Sequence, residues 1–203
     1  NSCFHEYQVP ELIAVSKKQE DYKIDDAIIC GQKKFGENRV QEAIQRWEDR
    51  ILEHKDLQIR LIGPLQTNKV KQALKIFDII ETLDREKLAK EFSSNINDQT
   101  KTNSFYIQVN TGKESQKNGI LPLEADNFIN YCKYDLNLPV VGLMCIPPFN
   151  EEPAMHFRLL HEIATRNNLK ELSMGMSNDF EEAIKFGATS VRIGSMFFGE
   201  RQY

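Results

Sequence analysis

Apolar, strand-forming runs recur along the chain at near-regular intervals: residues 12–16, 33–38, 59–65, 77–84, 104–110, 139–146, 170–176 and 188–198. Short runs of this kind between polar, turn-rich segments predict strands. Between them the period changes to that of a helix. Val40, Ala43, Ile44 and Trp47 share one apolar face, with Glu42, Gln45, Arg46 and Glu48 off it. Phe157, Leu160, His161 and Ala164 mark a second such face. Gly31 and Gly187 each follow a helical pattern, where a left-handed residue closes a helix. The segment NDFE (178–181) has the pattern of a capping box and predicts the start of the last helix.

Eight strands alternating with helices predict a parallel sheet. Eight is also the number that closes a (β/α)8 TIM barrel. The 203 residues lie at the small end for that fold, and a doubly wound open sheet is the alternative. With no repeat, low-complexity stretch or Pro/Gly-rich linker, one domain over residues 1–203 is expected.

A net charge of −4 argues against a nucleic-acid footprint, which would require a basic face. No apolar run approaches the ~18 residues of a membrane span, and the start has the character of neither a basic nor an apolar leader region. Cys3, Cys30, Cys132 and Cys145 are scattered, without a C-x-x-C pair, which fits a reduced, cytoplasmic setting and inert packing roles. His156 and His161 are five apart, on different sides of a helix, so no metal pair is expected, and His161 is placed at the core edge. The basic stretch KVKQALK (69–75) reads as a solvated helix face.

Strand parity places the polar groups. Side chains alternate faces along a strand. Lys17 shares parity with Ile13 and Val15, whereas Lys18 does not. Tyr106, Gln108 and Asn110 oppose Phe105, Ile107 and Val109; Ser173, Gly175 and Ser177 oppose Leu172, Met174 and Met176; Ser190, Arg192 and Gly194 oppose Val191 and Ile193. The helix-facing side of a barrel is apolar, so the polar sets are expected in the lumen. Closure makes strands 1 and 8 neighbours, which would bring Lys17 toward Arg192. Two unpaired cations in a low-dielectric tube are costly, so Glu37, Glu81 or a bound anion must compensate. The loops after strands 7 and 8 often bind phosphate in such barrels. Here they carry GMSNDF (175–180) and RIGS (192–195). A phosphate beside a nucleophilic amine describes a sugar phosphate or pyridoxal phosphate. Each residue also has a plainer reading: Lys17 as a surface lysine, Arg192 as an ion-pair residue with Glu37, Asn38 as a helix cap before RVQEA, Ser177 as an N-cap.

The blocks AVSK (14–17), FGENRVQEA (35–43), LIGPLQTNK (61–69), VNTGKESQKNG (109–119), GLMCIPP (142–148) and LSMGMSNDFEEAIKFGATSVRIGSMFFG (172–199) occur in order. With them the chain resembles the pyridoxal phosphate homeostasis protein family, itself similar to the N-terminal barrel domain of alanine racemase. The resemblance covers nearly all of the chain from about residue 10. It implies pyridoxal 5′-phosphate held as a Schiff base on Lys17, with Lys18 a solvated neighbour. It implies Arg192 at the pyridine nitrogen, Ser177, Gly194 and Ser195 at the phosphate, Asn38 lining the cofactor and Lys117 near the mouth of the site. Many relatives read H-F-I-G where this chain has RLIG (60–63), which puts Leu61 at a ring-packing position.

The resemblance also implies a carrier of pyridoxal phosphate, handing it to apo-enzymes, with little or no catalysis. A cation at the ring nitrogen disfavours its protonation and weakens the electron sink. The tyrosine base of related racemases comes from a second domain, which does not follow strand 8 before Tyr203. A monomer is therefore expected. A racemase-like enzyme of low activity is the alternative, and a Schiff-base aldolase on a sugar phosphate a third.

Overall fold

The computed structural model describes residues 9–199. Eight parallel strands close on themselves in sequence order: β1 (Glu11–Val15), β2 (Lys34–Glu37), β3 (Gln58–Leu61), β4 (Ile79–Leu83), β5 (Ser104–Gln108), β6 (Val140–Met144), β7 (Glu171–Met176) and β8 (Ser190–Ile193). The last strand pairs with the first, Ile13 lying opposite Arg192. The predicted barrel is thus the fold, and the open sheet is excluded. The helices are α1 (Asp21–Ile29), α2 (Val40–Glu53), α3 (Val70–Ile76), α4 (Glu86–Asn95), α5 (Ala125–Asn130), α6 (Pro153–Arg166), α7 (Phe180–Lys185) and α8 (Ser195–Phe198). A 3₁₀ turn (Thr67–Lys69) leads into α3, and a π turn (Tyr131–Asp135) extends α5. Among the described residues no helix is long and apolar enough to cross a membrane.

The main core lies between sheet and helices. Ala14, Phe35, Ile59, Ile80, Phe105, Ile107, Leu143, Leu172, Val191 and Ile193 point outward from the strands into it. The apolar stripe of α2 meets them, with Trp47 fully buried and its ring centroid 4.7 Å from that of Phe35. Burying a large aromatic on a strand's outer face fixes which parity turns inward, since a one-residue slip would reverse every side chain. A smaller apolar cluster of Ile79, Tyr106 and Met144 forms separately from this layer.

Gly31 (φ 95°) and Gly187 (φ 85°) close α1 and α7 as expected. Each is bracketed by the paired hydrogen bonds of a Schellman turn: Gln32 N–H to the Ala27 carbonyl and Ala188 N–H to the Ala183 carbonyl (2.9 and 3.0 Å).

Several local expectations fail for physical reasons. The run 188–198 is not one strand, because β8 stops at Ile193 and α8 begins two residues later. The capping box at 178–181 does not form. Asp179 is the N-cap of α7, which is not the last helix, and its carboxylate turns back to accept the Met176 N–H at 2.6 Å. Asn38 is not the cap of α2 either; Arg39 holds that position without a side-chain cap bond. His161 is exposed, whereas His156 is buried and bonded to Glu151 at 3.1 Å. Cys132 and Cys145 are buried, and desolvation pushes both thiols up to about 12. Cys30 is exposed, against expectation, and Cys3 lies outside the described residues. On 69–75, Lys71 and Lys75 are solvated while Val70, Ala73 and Leu74 pack inward.

Candidate functional site

The C-terminal ends of the strands form the rim. β1 ends at Val15, so Lys17 sits in the turn beyond the strand and not on it. Ser16 still bonds to β2, its N–H reaching the Gly36 carbonyl at 3.1 Å. The chain then reverses through Lys18, which adopts φ 57° and is exposed. Lys17 is half-buried and lines a cavity of about 1010 Å³ with Asn38, Leu65, Lys69, Asp84, Arg85 and Lys117 among its walls. Among the described residues, no hydrogen bond or ion pair engages the Lys17 amine. An ammonium on a rim, sharing a cavity with Glu42 and Asp84 yet paired with neither among the described residues, is an unusual use of a lysine.

The turn is held from behind. Arg46 of α2 donates to the carbonyls of Ser16 and Gln19, each at 2.9 Å, bracketing Lys17 and Lys18. The same guanidinium contacts Oε1 of the fully buried Glu37 at 3.0 Å. That oxygen also accepts from the Ser16 hydroxyl (2.7 Å) and the Trp47 indole N–H (3.0 Å). Periodicity alone puts Arg46 off the packing face of α2. The pairing expected between Glu37 and Arg192 does not occur, because Glu37 lies on the helix side of β2 with Phe35.

A second cavity of about 550 Å³ is lined by Ser177, Ser195, Asn178, Asp179, Met176 and Ile146. Gly194 immediately precedes Ser195, and a Cβ there would meet Val15 at 3.6 Å, an ordinary contact. Ser177 lies two residues before the N-cap of α7 and not in it. Gly175 carries φ 94°, and a Cβ on it would strike Ala183 of α7 at 2.7 Å. The left-handed residue and a register shift between Ser173 and Met176 break the alternation of β7. Gly175 therefore faces α7 and is not part of the lumen set.

Lys117 lines both cavities. Its amine donates to the Pro147 carbonyl at 3.0 Å and lies 2.6 Å from Glu114. The loop that carries it is pinned by Asn110, whose amide donates to the Glu114 and Lys117 carbonyls, and by Gln108, which donates to the Asn118 carbonyl. These two residues of the inward parity thus support the rim.

Arg192 lines neither cavity and is buried within the barrel, 4% exposed. It is level with Ile13, four residues before Lys17, so the two cations are offset along the barrel and not adjacent. Its terminal nitrogens donate to the Ser173 hydroxyl (2.7 Å) and the Cys145 carbonyl (2.8 Å). Ser173 in turn meets Glu81 at 2.5 Å, and Glu81 pairs with Arg60 at 3.2 Å. Arg60 reaches Glu11 at the base of the barrel, which also pairs with Lys34. Burial opposes the charge on Arg60, but the carboxylates of Glu81 and Glu11 outweigh it and raise its pKa. Burial, and then the charge of Glu81, pushes the Tyr106 phenol above its ordinary range. Leu61 is fully buried in the layer between sheet and helices, so it holds no ring-packing position.

The site residues expected from sequence therefore fall into three places. Lys17 and Asn38 share one cavity, Ser177 and Ser195 share the other with Gly194 beside them, and Lys117 touches both; Arg192 lies beneath. The architecture is that of the alanine racemase N-terminal domain, whose family model matches residues 6–202. The chain is 41% identical over 205 residues to the pyridoxal phosphate homeostasis protein of Aquifex aeolicus, covering 95% of this chain and 88% of that one. The chain belongs to the pyridoxal phosphate homeostasis protein family. Among solved structures it is similar to PipY of Synechococcus elongatus without PLP (TM-score 0.86, 33% identity, 94% of this chain and 93% of that one). It is similar also to PipY with PLP bound (TM-score 0.82, 32% identity, 94% and 92%).

Proposed function

We propose that this chain binds pyridoxal 5′-phosphate on its C-terminal rim and serves its homeostasis in the cytoplasm as a carrier with little or no catalysis. When bound, pyridoxal phosphate supplies an aldehyde that condenses reversibly with a primary amine. The residues fit such a group: an amine at Lys17 that is uncommitted among the described residues, hydroxyls at Ser177 and Ser195 beside the side-chain-free Gly194, and a buried guanidinium at Arg192. Lys17 would hold it covalently. Ser177, Ser195 and the backbone at Gly194 would hold the phosphate by hydrogen bonds, as anion sites in barrels of this kind do. Asn38 would line the ring, and Lys117 would stand at the mouth between the two cavities.

Arg192 bears on the question of catalysis. A guanidinium donates and does not accept, so it offers the ring nitrogen a hydrogen bond and takes no proton from it. Its Nε–H is uncommitted among the described residues, since both bonds use the terminal nitrogens. A ring nitrogen facing a fixed cation stays unprotonated, which suits retention and release better than carbanion chemistry. The recipients in this reading are apo-enzymes, and the chain acts as a monomer.

The observation that carries the proposal is the Lys17 amine in the rim cavity, without a partner among the described residues. The test is absorbance after incubation with pyridoxal phosphate, wild type against Lys17→Ala, together with a panel of L-amino acids followed for enantiomer exchange. A visible band lost in the variant, with no exchange, is expected. A band that survives Lys17→Ala overturns the assignment of the amine, and sustained exchange overturns the carrier role.

A further inference from the structure

We propose that Glu81, acting through the Ser173 hydroxyl, is the positioning residue that fixes Arg192 beneath the rim cavities. This rests on the pyridoxal phosphate reading above, because it concerns the group Arg192 would face. The geometry supplies its direction. Arg192 has only donors, and an ionised carboxylate only accepts. The Ser173 hydroxyl has one proton, so it donates to Glu81 (2.5 Å) and accepts from Arg192 (2.7 Å). The order is forced by proton count, and Ser173 cannot turn round without opposing two donors or two acceptors. All three side chains are nearly solvent-free: Glu81 0%, Ser173 0% and Arg192 4% exposed.

The far oxygen of Glu81 is held by Arg60, which is itself 2% exposed and tied to Glu11. Charges alternate along this line from the base of the barrel upward: Lys34, Glu11, Arg60, Glu81 and then, through Ser173, Arg192. The carboxylate of Glu81 thus sits between two guanidinium groups, close to one and one hydroxyl away from the other. Arg192 meets no acidic side chain directly among the described residues. Ser173 therefore transmits the only carboxylate contact in its described hydrogen-bond chain. The Cys145 carbonyl fixes a second point of the guanidinium plane, so loss of Ser173 leaves one anchor and a plane free to rotate about it. Rotation would swing the Nε–H away from a ring nitrogen above it.

The test uses the full chain loaded with pyridoxal phosphate. Retention is measured as the rate of cofactor loss to an excess of scavenging amine, and the visible band is recorded for Ser173→Ala, Glu81→Gln and Arg192→Ala. Ser173→Ala leaves the Arg60–Glu81 pair intact; Glu81→Gln leaves the hydroxyl. Each is expected to release the cofactor on the order of ten-fold faster and to shift the band, as loss of a charge-assisted hydrogen bond at the ring nitrogen requires. The double variant Ser173→Ala/Arg192→Ala is expected to be no faster than Arg192→Ala alone, because the relay acts only through Arg192. Thermal melting of the unloaded variants provides the control. A purely structural cluster would lower the melting temperature and leave band and release unchanged, and that result overturns the proposal. So does additivity in the double variant. If the wild type shows no Lys17-dependent band at all, the reading beneath it falls as well, and this outcome is distinct from wild-type release in the two relay variants.

Discussion

Replacing Arg46 by methionine removes the brace behind the Lys17 turn, and its cost can be worked from the structure. Four acceptors lose a donor: the Ser16 carbonyl, the Gln19 carbonyl, Oδ1 of Asp21 and Oε1 of Glu37, the last keeping the Ser16 hydroxyl and the Trp47 indole. The Ser16 carbonyl keeps the Gln19 N–H at 3.1 Å, and Asp21 is exposed to water. Glu37 is different. It is fully buried, its Oε2 has no partner, and Arg46 is its only ion pair among the described residues. Breaking a buried pair by deleting one member costs about 3–5 kcal/mol. Arg46 keeps 16% exposure, so the lower end applies, about 3 kcal/mol, against a total stability of about 5–15 kcal/mol. For a chain of this size that lowers Tm by about 6–12 °C. The assay is urea unfolding of the unloaded protein, with wild type, Arg46→Met, Glu37→Gln and the double variant. The buried charge is what makes Arg46→Met expensive, so the double variant should lose at least about 1 kcal/mol less than the sum of the singles. A loss below about 1 kcal/mol in Arg46→Met, or strict additivity, would refute the reasoning. Retention of pyridoxal phosphate should fall in the same variant, because the turn presenting Lys17 loses both carbonyl anchors.

Other outcomes follow from single features. Gly63→Ala places a Cβ 2.3 Å from the Asn38 carbonyl oxygen and 2.6 Å from its Cα, backbone atoms that cannot swing aside; a loss of about 2–3 kcal/mol in urea unfolding is expected, together with weaker cofactor retention, and unaltered stability would contradict it. Asp84 is buried on the wall of the Lys17 cavity, and desolvation raises its pKa despite Arg85. A raised carboxyl favours the fold fully below about pH 3.9 and loses that contribution as pH rises through its folded value. The stability of the wild type relative to Asp84→Asn should therefore fall from acid toward neutral pH; a rise, followed by thermal melting across the range, would contradict the desolvation argument. Arg192→Ala should shorten retention while leaving Lys17 able to react, seen as faster loss after a near-normal rate of loading; a lost loading step would place Arg192 in attachment and not in retention.

Much of the barrel is legible because it depends on local pattern. Six of the eight strands lie within the apolar runs and β1 and β3 start one residue before theirs, since outward residues such as Phe35, Ile59, Phe105 and Leu172 must alternate or cluster to cover the helices. The glycine-closed ends of α1 and α7 are legible for the same reason: a positive φ has few other occupants. What escapes is set by contacts between distant segments. Nothing in the period of α2 shows that Arg46 turns under it to reach Ser16 and Gln19, some thirty residues away in sequence. Parity carried along β7 misplaces Gly175, because one left-handed residue resets the alternation. Closure of β8 on β1 is predictable, but the offset is not, so parity alone brings Lys17 toward Arg192 whereas Ile13 is the residue opposite Arg192. Glu81 can be named beside Glu37 as a candidate compensating charge; which of the two serves, and its action through a serine, cannot.

The central claim is that the Lys17 amine is the point of covalent attachment. It is tested most directly by loading the protein with pyridoxal phosphate, reducing with borohydride and mapping the modified lysine by peptide mass. The account predicts a single stoichiometric modification on Lys17. Modification concentrated on Lys18, Lys69 or Lys117 instead, with Lys17 unlabelled, would contradict it.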